Sequence, residues 1–397
     1  MHRISRISVD GPDPLVLSYR RSRSFKEGEV KKVFSVLFIV VFISLFSSSM
    51  TIGGTQVDRI GKVDCKDSKF RPLWERAMRR YPLPAIAEEM RFVSFFPDER
   101  LVEKDIYIGM AMGLARSADG RIHVLDQKLK QVLQFDASGT HLRTFGRKGQ
   151  GPGEFSIPVA ICASRESIYV VDNGNRSIQR FSLSGEFLGS KKTLHSYLDI
   201  AVGPGGELYA VALSLIKRDG LVDVLSREGE YLRTIAKPKE DPSIDELFLS
   251  FLLIAVNDEG EILLAGQNYP RVIKFDRNGN WLDGWTIDNM MMKEAAQSNL
   301  RNMIERKSKP SLPSLSAPVI EGFAASPGGG FYLLRNFPRT EVLEYDGRGR
   351  LMKDHWCLPA CDYRARDLAI DPAKGWCYTI QWMPDDRIDV FSMRKLN

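Results

Sequence analysis

The chain has 397 residues, 43% hydrophobic and 27% charged, a balance that excludes intrinsic disorder and leaves room for one large domain or two ordinary ones. Its formal net charge is +6, and residues 1–32 carry +4 of it, so the remainder is too nearly neutral to make a nucleic-acid surface. Five cysteines form no Cys-x-x-Cys pair, which argues against a zinc centre.

The first readable element is apolar. Val33 to Phe46 reads VFSVLFIVVFISLF, after Lys31-Lys32 and before Ser47-Ser48-Ser49. It is shorter than the ~20 residues of a membrane-spanning helix. A basic flank, an apolar run and small residues make a secretory signal, or a signal anchor where cleavage fails. Residues 1–54 are therefore expected to be leader and signal, with export to the periplasm or outside the cell and membrane attachment only through residues 33–46. The long leader before this run suggests a start at Val30, after a stretch, Lys26 to Glu29, that purine-rich codons can encode. Residues 55–91 form a linker, in which Arg71 to Tyr81 suits a short amphipathic helix ended by Pro82 and Pro84.

From Phe92 onward the periodicity changes to that of strands. Phe92 to Phe96 and Arg100 to Lys104 are β-like runs. A unit then recurs: an apolar strand, a turn with glycine, a second apolar strand, a polar loop, a third strand ending in an aromatic residue, and a Gly-containing turn into a fourth. The first unit contains Gly113-Leu114-Ala115, Ile122 to Asp126, Val132 to Asp136 and Leu142 to Gly146. The second contains Ser167 to Val171, the turn Asp172 to Arg176, and Ser177 to Phe181. The others begin at Ile200, Ile254, Gly322 and Leu368. Insertions fall at 237–250 and at 288–318, the latter starting Met290-Met291-Met292 and helix-prone to Lys309. Its methionines suit either an adaptable partner surface or a helix capping the ring.

Six such units make an all-β fold, a six-bladed β-propeller of four-stranded antiparallel blades spanning 92–397. The sixth unit shows three strands before Asn397. An open sheet edge invites wrong pairing, so an N-terminal strand is expected to close the last blade. Arg100 to Lys104, directly before the first inner strand, is the expected closing segment.

The stretch Gly146-x-x-Gly149-x-Gly151-Pro152-Gly153-Glu154-Phe155, followed by Ile168 to Asp172, Asn175, Arg176 and Ile178, resembles the NHL-repeat family. The region from about Arg100 onward also looks like a bacterial family of exported six-bladed propellers. The resemblance implies the architecture and leaves the chemistry open. Enzymes on similar propellers, lactonases and lyases among them, imply His, Glu, Asp and Asn clustered at the axis. Here His2, His123, His141, His195 and His355 are scattered without ligand spacing, and no acidic residue recurs along the inner strands. No catalytic or metal-binding residue and no cofactor is assigned, although a Ser-His-Asp set is a spatial arrangement that spacing does not reveal. The Gly-rich loop leads into a strand rather than a helix, so it reads as a connection between blades rather than a phosphate cradle.

One pattern points to a site. The loop entering each third strand ends in a cation: Lys130, Arg176, Arg218, Arg271, Arg339 and Arg387. Joined by Arg147 and Lys148, these would ring one mouth of the propeller and draw an anionic ligand. The alternative is that each stem packs on a neighbouring blade and each charge meets a local Asp. The expected function is a monomeric, non-catalytic, extracytoplasmic binding or scaffold module for a protein or a small anionic ligand. A propeller hydrolase or lyase is the competing reading. Cys357, Cys361 and Cys377 leave a disulfide and buried free thiols both open.

Overall fold

The computed structural model describes residues 5–6, 79–81, 83–213, 219–237, 251–308, 318–336, 340–357, 365–381 and 386–394. Val30, the apolar segment 33–46, Cys65, Arg218, Arg339, Cys361 and nearly all of the 237–250 insertion lie outside the described residues.

Six four-stranded antiparallel blades stand around an axis. Their inner strands are Ala111–Arg116, Pro158–Ala163, Tyr197–Val202, Leu252–Val256, Gly322–Ala325 and Ala365–Asp371, and each packs on both neighbours, so the ring is closed. Second strands are buried throughout, as in Ser167–Asp172 and Ile262–Gly266, which is why they read as continuous apolar runs rather than alternating ones. The core is distributed among the seams. Leu125, Val132, Phe155, Ile161 and Phe181 fill the space between blades 1 and 2. Phe96, Ile122, Phe135, Tyr378 and Val390 fill the seam between blades 6 and 1.

The last blade is completed from the N-terminal side, but by Arg91–Phe96, which pairs antiparallel with Arg387–Ser392. The expected closing segment, Arg100 to Lys104, is not that strand. Pro97 has no N–H to continue a ladder. Asp98 then caps the short helix Glu99–Val102 by accepting the Leu101 N–H at 3.2 Å. Phe96 carries the closure: it is 1% exposed, and its ring lies 4.6 Å from that of Phe135 in blade 1. The segment just before it, Ala87–Glu89, runs parallel to the outer strand of blade 5. One stretch of chain therefore stitches blade 5 to blade 6 before locking blade 6 against blade 1.

Every outer strand has a β-bulge near its start, one residue in for five of them and two residues in for Arg91–Phe96. The residues skipped by the ladder are Val93, Leu142, Leu188, Leu232, Leu282 and Met352, and all are exposed large apolar side chains. A bulge twists the edge and interrupts its row of pairing groups. Two edges are covered besides: blade 5 by Ala87–Glu89 and blade 4 by Ser5–Arg6.

The Met-rich insertion forms the helix Met290–Ser308. Met292 and Ala296 are buried against Tyr269, Ile287 and Ile320 of blades 4 and 5, while Met290 stays exposed. The linker docks on this helix: Arg80 bonds Glu294 Oε1 at 2.6 Å and Tyr81 donates to Glu294 Oε2 at 2.6 Å. Cys162 and Cys377 are free, buried thiols.

Candidate functional site

In blades 1 and 2 the mouth is built by aspartates that end the second strands. Asp126 accepts N–H groups of Gly109 and Met110, which enter blade 1, and of Leu129 in its own turn. Asp172 does the same for Ser156 and Ile157 and for Gly174 and Asn175. Each carboxylate thereby fixes the turn before the third strand to the connection entering the blade. The next residue reaches onward to the following blade. Gln127 donates to Pro158 O, Asn173 exchanges two bonds with Tyr197, and Asn336 exchanges two with Ala365. The connections and these turns therefore share one face, which places the expected cations there.

These cations do not make one ring. Arg271 is 1% exposed and sits inside blade 4. Arg387 pairs with Asp389 at 2.8 Å and lies over the Phe95 ring at 4.6 Å, so its stem and charge serve the closure of blade 6. Arg147 pairs with Glu154 at 2.9 Å across the Gly-rich connection, where Arg147–Lys148 runs parallel to Glu154–Phe155. Glu154 also accepts the Gly151 N–H.

Lys130 and Lys148 lie close enough to repel, and Arg176 ends the corresponding turn of blade 2. Lys130 and Arg176 occupy equivalent turn positions, both left-handed, at φ 60° and 50°. Among the described residues neither has an ion-pair partner, nor has Lys148. Burial holds the Lys130 ammonium below the usual lysine range, Asp172 raises it again, and Lys148 lowers it further by repulsion. Lys192 joins them by donating to Asn175 O at 2.9 Å. The carboxylates beneath, Asp126 and Asp172, are fully buried and occupied by backbone N–H groups. Lys148, Arg176 and Lys192 are exposed and Lys130 is half-buried, while the carboxylates face inward. Lys192 was not among the expected residues; it ends a fourth strand, a position that the repeat marks only weakly.

The axis holds a second arrangement, which the sequence reading passed over. Equivalent positions of the six inner strands are Gly113, Ala160, Asp199, Leu253, Gly322 and Asp367, each followed by an apolar residue. The expectation that no acidic residue recurs on the inner strands is therefore corrected: Asp199-Ile200-Ala201-Val202 and Asp367-Leu368-Ala369-Ile370 are the same motif three blades apart. The glycines reflect crowding. A Cβ on Gly322 would stand 3.0 Å from Asp367 Cα, and one on Gly113 would stand 3.0 Å from Ile161 Cγ2. Asp199 accepts Ile254 N–H of blade 4 at 2.9 Å, and Asp367 accepts Leu114 N–H of blade 1 at 2.8 Å. Each second oxygen takes the N–H of its own following residue, Ile200 or Leu368, at 2.8 Å. Burial pushes Asp199 up to about 6. Burial, then repulsion from Asp199, pushes Asp367 up to about 7.

Two of the described histidines, His123 and His355, are held in structural bonds. His123 Nε2 meets Ser117 Oγ at 3.0 Å, and Ser117 Oγ meets Asp119 at 2.6 Å. Ser117 and His123 are both fully buried, and the other ring nitrogen faces Gln134 at 3.4 Å. A hydroxyl that no substrate can reach is a structural bond. His355 pairs with Glu344 at 3.1 Å inside blade 5. Among the described residues, no group of three or more His, Cys, Asp or Glu is placed to hold a metal ion.

Residues 102–234 match a protein family described as a 6-bladed beta-propeller. No curated protein matches the chain.

Proposed function

We propose that the chain is a non-catalytic, extracytoplasmic binding or scaffold propeller of the NHL-repeat type, and that it takes a protein or small-molecule ligand through an anionic group. The observation that carries this reading is the set of cations without ion-pair partners among the described residues, Lys130, Lys148 and Arg176, on the mouth side of blades 1 and 2, where Lys130 and Arg176 end turns whose carboxylates are consumed by backbone bonds. Like charges on one face focus field on a ligand of opposite sign. Export is supported by the apolar segment 33–46 with its basic flank.

The test is the triple charge reversal Lys130→Glu, Lys148→Glu and Arg176→Glu, read by salt elution from immobilised heparin, a generic polyanion. Retention should fall at least about tenfold, because close like charges act together on one anion, while circular dichroism stays that of the parent. Unchanged retention, or loss of the fold with retention intact, would retire the ligand reading. Stoichiometric calcium or zinc in the purified chain would favour the hydrolase or lyase reading instead.

A further inference from the structure

We propose that the seam of blades 4 and 5, on the face opposite the mouth, is a binding cleft for a small zwitterion, a free amino acid or short peptide held by its own ammonium and carboxylate. The cleft has a volume of about 560 Å³, within the range of sites that take small ligands. Blade 4 supplies Glu259 and Glu261 from the turn between its first two strands, and Lys274 from its third strand. Blade 5 supplies Gly328 and Gly329 from the turn after its inner strand, and the turn Asp346 to Arg350 before its outer strand. The glycines make the room. Gly328 and Gly329 are left-handed, at φ 77° and 78°, and bring backbone rather than side chains to the cleft. A Cβ on Gly347 would stand 3.2 Å from both of their carbonyl oxygens.

The charges of the cleft sort into pairs and a remainder. Lys274 is 9% exposed and donates to Glu261 Oε2 at 2.8 Å, an oxygen that also accepts from Asn257 Nδ2 at 2.7 Å. Arg350 Nε donates to Asp346 Oδ2 at 2.7 Å. What remains is one carboxylate on the blade 4 side, Glu259, and one guanidinium on the blade 5 side, Arg348. Both are exposed, and neither has an ion-pair partner among the described residues. A simple anion would meet Glu259, and a simple cation would meet Arg348. The ligand whose charge is complementary to both walls carries both signs.

The seam of blades 2 and 3 shows the same positions closed. The turn before the outer strand is bonded identically in blades 3 and 5: Gly229 N–H to Ser226 O and Ser226 N–H to Glu230 O match Gly349 to Asp346 and Asp346 to Arg350. Arg227 therefore stands where blade 5 has Gly347, and Glu228 where it has Arg348. Arg227 bonds Glu166, the counterpart of Glu259, at 3.3 Å. Arg180, the counterpart of Lys274, pairs with Glu228 at 3.6 Å. Blade 5 has glycine in place of that arginine and arginine in place of that glutamate. Both bridges between blades are absent from its seam, and the space they fill elsewhere is open.

The experiment titrates glycylglycine into the full chain by calorimetry. N-acetylglycylglycine, which lacks the ammonium, and glycylglycine amide, which lacks the carboxylate, are the comparison probes. Glycylglycine should bind saturably, and either comparison probe should bind at least about tenfold more weakly. Glu259→Gln should weaken glycylglycine to the same extent, as should Arg348→Glu, which restores the charge pattern of the closed seam. Both residues are exposed, so circular dichroism should stay that of the parent; should a variant not fold, the three probes on the parent chain decide. The triple reversal of Lys130, Lys148 and Arg176 should leave glycylglycine binding unchanged, so this site and the anionic one at the mouth stand or fall separately. No saturable heat up to about 10 mM glycylglycine, equal binding of the three probes, or folded variants that bind like the parent would overturn the inference.

Discussion

Asp172 holds more structure than its size suggests. Its oxygens accept N–H groups from Ser156, Ile157, Gly174 and Asn175, so two loops from different parts of the blade depend on one side chain. Replacing it with alanine leaves buried donors without acceptors, and Asp172→Ala should cost about 3 kcal/mol, measurable by urea denaturation. His123 makes stability depend on pH. Burial pushes it down to about 4, below the histidine value of the unfolded chain. Its contribution to stability is present above about 6.5 and is lost as pH falls toward about 4. His123→Gln should therefore shrink the Tm loss between pH 6.5 and pH 4 relative to the parent, and a parallel curve would refute this. The sequence showed His123 within a strand between two apolar residues; that both ring nitrogens are engaged by Ser117 and Gln134 appears only once the hairpin is folded.

Among the elements, the closing strand is the most informative. Two adjacent runs, Phe92 to Phe96 and Arg100 to Lys104, carry β-like composition, and position alone favours the second. Packing favours the first. Phe92 meets Phe391 edge-on at 5.9 Å, and Phe96 enters the blade 1 core. Arg100 has only a surface bond to Asp98. Deleting a buried aromatic costs about 4 kcal/mol, so Phe96→Ala should destabilise the ring by that order. Leu101→Ala, from a half-buried turn of helix, should cost well under half as much. Equal losses in chemical denaturation would contradict the closure. Outer strands add a second lesson. The residue skipped at each of their six bulges is a large apolar side chain that stays exposed, so these apolar positions trace edge protection rather than core.

In the whole molecule, stability is shared by seams rather than concentrated in one centre. Each blade buries its faces against its two neighbours, and the ring closes only when Arg91–Phe96 and the salt bridge from Arg116 to Asp371 join its ends.

How much could be read beforehand depends on the range of the forces involved. Strand periodicity, turn glycines and the count of six repeats are local, because alternation and positive φ are properties of a few consecutive residues. They determined the propeller, its four-stranded blades and the need for an N-terminal strand. The repeat also carried the axial aspartates, in Asp-Ile-Ala-Val and Asp-Leu-Ala-Ile. Tertiary structure alone decided which aromatic run closes the ring, since that choice rests on the shape of the blade 1 core. It alone separated exposed Arg176, in the turn before its third strand, from buried Arg271, the first residue of its third strand, because the strand register decides which of them is paired into the sheet.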